Sequence, residues 1–267
     1  MSTQVRTGYA PAGELEMYYE VHGSGRPLVL LHGAYLTVDA LGPLLAGLAR
    51  DHEVLAPELE GHGRTALSGR PLSYEQMADD TAALIRHAGL EQPDVVGYSM
   101  GAGTALQLAI RHSGLVRRLV LISTGYASDG LQPQAAGLFP AITPAMFAGS
   151  SREEEYLRLA PRPGDFPALV ERLTALFTEA FAWPEEDIRA IPAPTLVVTG
   201  DSDLFTLEHS VALFRLRGGG VMGDLAGMPA SQLAVLPGSS HLEPPGHGVL
   251  DRTDWLLAMI RPFLDAG

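Results

Sequence analysis

The chain has 267 residues, 46% of them hydrophobic and 18% charged, which excludes a disordered polymer and suits one α/β domain of the larger kind. Its 31 acidic against 18 basic side chains leave a formal charge of −13, and no arginine cluster with interleaved aromatics offsets the repulsion of a phosphate backbone, so no nucleic-acid partner is expected. Cysteine is absent and all 18 basic residues are arginine, which rules out disulfides, thiolate metal sites, cysteine nucleophiles, Schiff-base cofactors and a Walker lysine.

Taken in chain order, apolar strand-like runs alternate with helical patterns, which predicts a mainly parallel sheet wrapped by helices. Met1–Glu20 is polar and lacks the apolar core of a signal peptide. No apolar run reaches the roughly 18 residues of a membrane span, so the expectation is a soluble, cytoplasmic protein. Glu14–Val21 alternates and reads as an antiparallel edge strand. Pro27–Leu31 reads as a buried strand ending in His32-Gly33, Ala40–Arg50 as a helix, and Glu53–Ala56 as a strand before a loop with Gly61-His62-Gly63. Tyr74–Gly89 has helical spacing with Ser73 as its N-cap. Asp94–Gly97 is a short strand, Met100–His112 a helix, and Arg118–Ile122 another strand. From Gly125 to Ala190 the alternation breaks. The helical apolar stripe Leu169, Leu173, Leu176, Phe177, Phe181 falls there, and a stripe of this kind is usually core. Thr195–Thr199 resumes the sheet, Thr206–Arg215 is a helix carrying His209 on its surface, Gln232–Leu236 is the last strand, and Asp254–Leu264 closes the chain as a helix. The division expected is one core, residues 1–124 and 191–267, with 125–190 as a helical cap insertion.

The decisive motif is Gly97-Tyr98-Ser99-Met100-Gly101, set between a strand and a helix. A sharp strand-to-helix turn crowds backbone against backbone and so demands glycine at its flanks. It also lifts the serine hydroxyl above the carboxyl end of the sheet, where the helix N-terminus favours negative charge that develops in acyl transfer.

With this motif the chain resembles the α/β-hydrolase fold family, in particular its small bacterial esterase-like and haloperoxidase-like members. Further matches stand in order along it: Leu30-Leu31-His32-Gly33, then Glu58-Leu59-Glu60-Gly61-His62-Gly63-Arg64-Thr65, Gly200-Asp201-Ser202-Asp203, and Leu236-Pro237-Gly238-Ser239-Ser240-His241. The family commonly has aspartate where this chain has Glu58. The resemblance implies Ser99 as nucleophile, with its acid on the Gly200 loop and its base on the Leu236 loop. Of nine histidines, only His209, His241 and His247 follow the acid loop, and His241 directly follows a strand end, whereas His247 suits the rim. Asp203 and Asp201 compete for the acid. The family pattern favours Asp203, Asp201 has a ready role as a turn residue, and Asp129 stands third. The backbone N–H groups of Ala34 and Met100 would form the oxyanion hole, with the Tyr35 N–H or hydroxyl as an alternative, and His32 and His62 read as loop scaffold. Tyr35, Phe177 and Phe181 are candidates for substrate contact. No metal spacing, dinucleotide fingerprint or phosphate loop occurs, and Gly218-Gly219-Gly220 follows a helix, so neither cofactor nor metal is expected.

The function expected is therefore cofactor-independent hydrolysis of an ester-type bond, carboxylester or lactone, in a small organic molecule. C–C bond hydrolysis and cofactor-free perhydrolysis are the alternatives within enzymes, and a non-enzymatic ligand-binding protein is the alternative outside them.

Overall fold

A computed structural model of the chain describes residues 5–242 and 244–266; Met1–Gln4, the start of the polar N-terminal stretch, lie outside the described residues. Along the chain run β1 (Arg6–Ala12), β2 (Leu15–Gly23), β3 (Arg26–Leu31), α1 (Gly42–Leu48), β4 (His52–Pro57), α2 (Tyr74–His87), β5 (Asp94–Tyr98), α3 (Met100–Arg111) and β6 (Leu119–Ile122). Four helices follow before the sheet resumes: α4 (Pro133–Leu138), α5 (Ser151–Leu159), α6 (Phe166–Thr178) and α7 (Glu185–Ala190). The chain closes with β7 (Thr195–Ser202), α8 (Leu207–Leu216), α9 (Gly223–Ala226), β8 (Gln232–Ser240) and α10 (Thr253–Asp265). The eight strands form one sheet in the order β1-β2-β4-β3-β5-β6-β7-β8. Pairings β1/β2 and β2/β4 are antiparallel and the rest are parallel.

The central strands are apolar without a break because both faces of the sheet are covered. Successive side chains point to opposite faces, so Val29, Leu31, Val95, Leu119 and Leu121 pack with α2, α3 and α6. Leu28, Leu30, Val96, Val120 and Ile122 pack on the other face with Leu44 and Leu48 of α1 and with Leu256, Ile260 and Phe263 of α10. Helix α2 starts where the sequence places it, since the Ser73 hydroxyl accepts the Gln76 N–H at 3.1 Å.

Three sequence readings are corrected. The strand over Glu14–Val21 exists as β2, yet it is not the edge: β1 pairs along it from Arg6 opposite Val21 to Ala12 opposite Leu15. That edge strand escapes notice because its inward residues, Ala10 and Ala12, are small and Tyr9 is exposed. The helix over Ala40–Arg50 is a 3₁₀ turn, Asp39–Leu41, followed by a shorter α1. Strands β7 and β8 run on to Ser202 and Ser240, past the turn signals, because they pair with each other through a register shift between Gly200 and Ser202. This extension brings the Gly200 loop and the Leu236 loop side by side.

Candidate active site

Ser99 sits between β5 and α3 at φ 55°, ψ −120°, a backbone strain that β-carbon-bearing residues rarely adopt. The flanking glycines are required by contact: a Cβ on Gly97 would strike the Gly101 carbonyl, and one on Gly101 would strike the carbonyls of Leu31 and His32. The elbow is pinned from the sheet side by the Ser99 N–H, which donates to the Ile122 carbonyl at 2.8 Å.

Ser99 Oγ lies 2.9 Å from His241 Nε2, and His241 Nδ1 lies 2.8 Å from Asp203 Oδ1. Asp203 is buried and fully bonded. Its Oδ2 accepts the Ser123 hydroxyl at 2.5 Å and the Gly200 N–H at 2.9 Å, and its Oδ1 also accepts the Leu204 N–H at 2.6 Å. Burial would raise this carboxyl, but the hydrogen bond and charge of His241, with the Gly200 and Ser123 donors, hold it below the ordinary carboxylate range. Asp201 is elsewhere. It is exposed and accepts the N–H groups of Gly238 at 2.8 Å and Ser239 at 3.2 Å, tying the loop of β7 to the loop of β8. Asp129 is exposed as well, 4.0 Å from His209.

Two site residues carried no signal in the sequence. Ser123, just past β6, adopts φ 58° to aim its hydroxyl at Asp203. Tyr98 donates its hydroxyl to the His241 carbonyl at 2.8 Å and stacks on the His241 ring at 5.3 Å. His209 is not a surface residue. It is 8% exposed, stacks on Tyr126, and its Nε2 accepts the Tyr126 N–H at 3.1 Å. The polar group on that helix face turns inward because a backbone N–H there needs a partner. His247 is exposed, with Nδ1 3.3 Å from the Gly238 carbonyl.

The early loops are braced by the two buried histidines. His32 donates from Nδ1 to the Gly33 carbonyl and accepts the Leu59 N–H at Nε2, at 2.8 and 2.9 Å. His62 donates to the Glu60 carbonyl at 2.9 Å and accepts the Tyr35 N–H at 3.1 Å. Burial pushes the two imidazoles down to about 3 and about 4 respectively, with the neighbouring His62 adding to the effect at His32. Because the Tyr35 N–H is held by His62, it is not free to face a substrate. Ala34, the residue before it, lines the cavity beside Ser99 and Met100.

That cavity measures about 220 Å³ and is mostly apolar. The stripe of α6 divides over it: Leu169, Leu173 and Leu176 are buried in the core, while Phe177 and, beyond the helix, Phe181 line the cavity with Phe139 and Phe147. Tyr156, Phe166 and Trp183 pack in the core. Among the described residues, no three His, Asp or Glu side chains converge as a metal site, and no helix is long and apolar enough to cross a membrane.

A serine on a strand–helix elbow, in line with a histidine and a buried aspartate at the carboxyl end of a mostly parallel sheet, defines the α/β-hydrolase class of architecture. The family model described as "Alpha/beta hydrolase family" matches residues 28–256, and the chain belongs to that family of hydrolases. It is 30% identical over 264 residues to a non-heme haloperoxidase of Rhodococcus erythropolis, covering 85% of this chain and 89% of the relative. It is also 30% identical over 256 residues to a putative esterase/lipase of Haemophilus influenzae, covering 89% and 83%. In three dimensions it is similar to the meta-cleavage product hydrolase of Pseudomonas fluorescens, with a TM-score of 0.73 at 21% identity over 99% of this chain and 98% of the other.

Proposed function

We propose that this chain is a cofactor-independent serine hydrolase that cleaves an ester-type bond, carboxylester or lactone, of a compact organic molecule through an acyl-enzyme. The observation that carries this reading is the unbroken line from Ser99 Oγ through His241 to Asp203, at 2.9 and 2.8 Å, opening onto an apolar cavity. A serine hydroxyl at its ordinary acidity is a poor nucleophile and needs a base in contact, which needs a third group to fix its tautomer. In this reading His241 Nε2 takes the Ser99 proton as Oγ bonds to the carbonyl carbon. The resulting oxyanion sits against the N–H groups of Ala34 and Met100, the latter in the unpaired first turn of α3. His241 then gives the proton to the leaving alkoxide, and later draws one from the water that releases the acid. Asp203, held ionised, keeps Nδ1 protonated throughout. Residues 125–190 act as the cap, with Phe177 and Phe181 contacting the substrate.

The test is labelling of the protein with a fluorophosphonate, located by mass spectrometry, together with a turnover screen over esters of graded acyl length, lactones and vinylogous diketones. Labelling at Ser99 with ester or lactone turnover is the expected result. Cleavage of diketones alone would move the assignment to C–C bond hydrolysis, and peracid formation alone to perhydrolysis. Absence of both labelling and turnover would leave a ligand-binding member of the fold.

A further inference from the structure

Among the described residues lining the cavity beside Ser99 is one formal cation that the proposed chemistry does not use. Arg152, in the first turn of α5, lines the apolar cavity and also the small cleft beside it formed by Tyr35, Thr37 and His62. Elsewhere in the chain, half-buried arginines are engaged by acids, as Arg64 by Glu58, Arg70 by Asp80 and Arg117 by Asp94, by backbone carbonyls, as Arg172 and Arg217, or by an aromatic face, as Arg118 over Phe263. Arg152 differs. Among the described residues its guanidinium makes no ion pair or hydrogen bond; of the three glutamates that follow it, Glu154 is exposed and the other two are engaged. Glu153 accepts the Gly149 N–H at 2.7 Å, and Glu155 accepts the Thr37 hydroxyl at 3.1 Å and faces Arg158. None of the described residues lining the cavity is a carboxylate.

Arg152 has no counter-charge among the described residues, and a guanidinium is the side chain best matched to a carboxylate, which it can hold through two parallel hydrogen bonds. Its charge is felt inside the site. Burial raises the phenols of Tyr35 and Tyr98, and at each of them Arg152 pulls the other way; Tyr98 is the residue bonded to the His241 carbonyl. A second observation points to the same ligand chemistry. The Tyr35 hydroxyl is buried with no hydrogen-bond partner, its acidity acted on by the Thr174 hydroxyl as well as by Arg152, and Tyr35 lines the same cavity. Arg152 and Tyr35 therefore line one mostly apolar space, whose other polar lining residues include Ser99, Ser123, Thr124 and His241. Its volume of about 220 Å³ is on the scale of a small-molecule site.

We infer that Arg152 is a specificity-determining residue that receives a carboxylate of the substrate, with the Tyr35 hydroxyl as a second donor, so that the preferred substrates are compact esters or lactones carrying a carboxylate remote from the scissile carbonyl. This deepens the hydrolase reading and rests on it for the word substrate. The recognition itself is a binding event that does not need turnover. Charge-assisted hydrogen bonds of this kind set the expected preference at roughly ten- to a hundredfold.

The experiment measures calorimetric dissociation constants of Ser99→Ala protein for monomethyl succinate, glutarate and adipate, each against its dimethyl ester. At least one half-ester is expected to bind ten times tighter or more than its diester. The preference should vanish in Ser99→Ala/Arg152→Gln, persist in part in Ser99→Ala/Arg152→Lys, and weaken in Ser99→Ala/Tyr35→Phe. Equal constants for every half-ester and diester in the Ser99→Ala protein overturn the inference without any Arg152 variant, as does a preference that survives Arg152→Gln. Because these constants are read without catalysis, a failed labelling of Ser99 with an intact half-ester preference would remove the hydrolase reading and leave the anion subsite standing.

Discussion

The cavity wall made by the carboxyl ends of β3, β5, β6, β7 and β8 is held by directed hydrogen bonds, whereas the residues between β6 and β7 meet the cavity through side-chain packing. Hydrogen bonds between them and the body, such as Arg172 to the Ser68 and Arg70 carbonyls and Thr37 to Glu155, fall outside the cavity lining. On the first wall nearly every polar atom has a fixed partner: Asp203 takes donors from Ser123, Gly200, Leu204 and His241, and His62 takes the Tyr35 N–H. On the second, Phe147 tilts against Tyr35 at 4.7 Å and Phe139 against Phe177 at 5.2 Å, while the leucines of α6 anchor the helix to the body. Hydrogen bonds fix angles and so place reacting atoms; apolar packing fixes volume and tolerates exchange of shape. Chemistry is expected to fail sharply when the first wall is altered, and selectivity to drift when the second is.

The largest effect tests the bonded wall at its centre. Ser99→Ala should lower kcat by about 10⁶-fold with an unchanged thermal midpoint, checked by ester turnover and calorimetric scanning; near-normal turnover would falsify the covalent mechanism. Next, Asp203→Ala should cost about 10⁴-fold in kcat, whereas Asp201→Ala should cost less than about tenfold, because only Asp203 touches the imidazole. The opposite ranking in purified, folded variants would transfer the orienting role to Asp201.

A smaller effect separates scaffold from chemistry. His62 is buried and neutral, its folded value of about 4 lying below the ordinary 6.5. As pH falls the unfolded chain therefore binds this proton first, so the stability contributed by His62 is full above pH 6.5 and is lost as pH falls through about 4. Glu58 has the opposite sign: burial raises it from 4.5 to about 7, so its contribution is full below pH 4.5 and is lost as pH rises through about 7. The parent curve sums both, and the comparison with His62→Gln isolates the first. The parent should exceed the variant by about 1–3 kcal/mol at pH 7.5, the cost of unsatisfied buried partners, and the gap should close between pH 6.5 and 4 in urea titrations.

The packed wall offers the finest test. Leu173→Ala, on the buried face of α6, should cost about 2–5 kcal/mol of stability and leave the acyl-length profile parallel to the parent. Phe177→Ala, on the cavity face of the same helix, should move that profile toward longer chains, by about fourfold in kcat/KM for each added methylene. Parallel profiles for Phe177→Ala would place that ring in the core instead of the cavity wall.

Much of the bonded wall was visible in one dimension, because strained backbone admits few residues. The glycines around Ser99 are there since any Cβ would strike a carbonyl, and a serine between them advertises the elbow. Ser73 marked the start of α2 for the same kind of local reason. Other parts were hidden. Ser123 looks like any polar residue after a strand, and its value lies in Asp203, which is 80 positions away. His209 read as surface because helical periodicity cannot report that the Tyr126 N–H arrives from another segment to claim it. The edge strand β1 was missed because its inward residues are alanines, whose alternation with exposed neighbours is too faint to count.

What the amino-acid order determined by itself was the architecture and the reactive centre: an alternation of buried strands and amphipathic helices, a glycine-flanked serine, and a histidine and aspartates at later strand ends. These follow from local rules of burial period, backbone sterics and turn chemistry, each legible within a few residues. Only the tertiary structure decided which aspartate meets the imidazole, which backbone N–H beside Ala34 is already taken, which phenylalanines of one stripe turn to the cavity, and that Arg152 stands there without a described counter-charge. Each of these depends on pairing between segments far apart in the chain, above all the extension of β7 along β8. Hydrogen-bond geometry and exclusion of water act between atoms in space, where distance along the chain has no bearing.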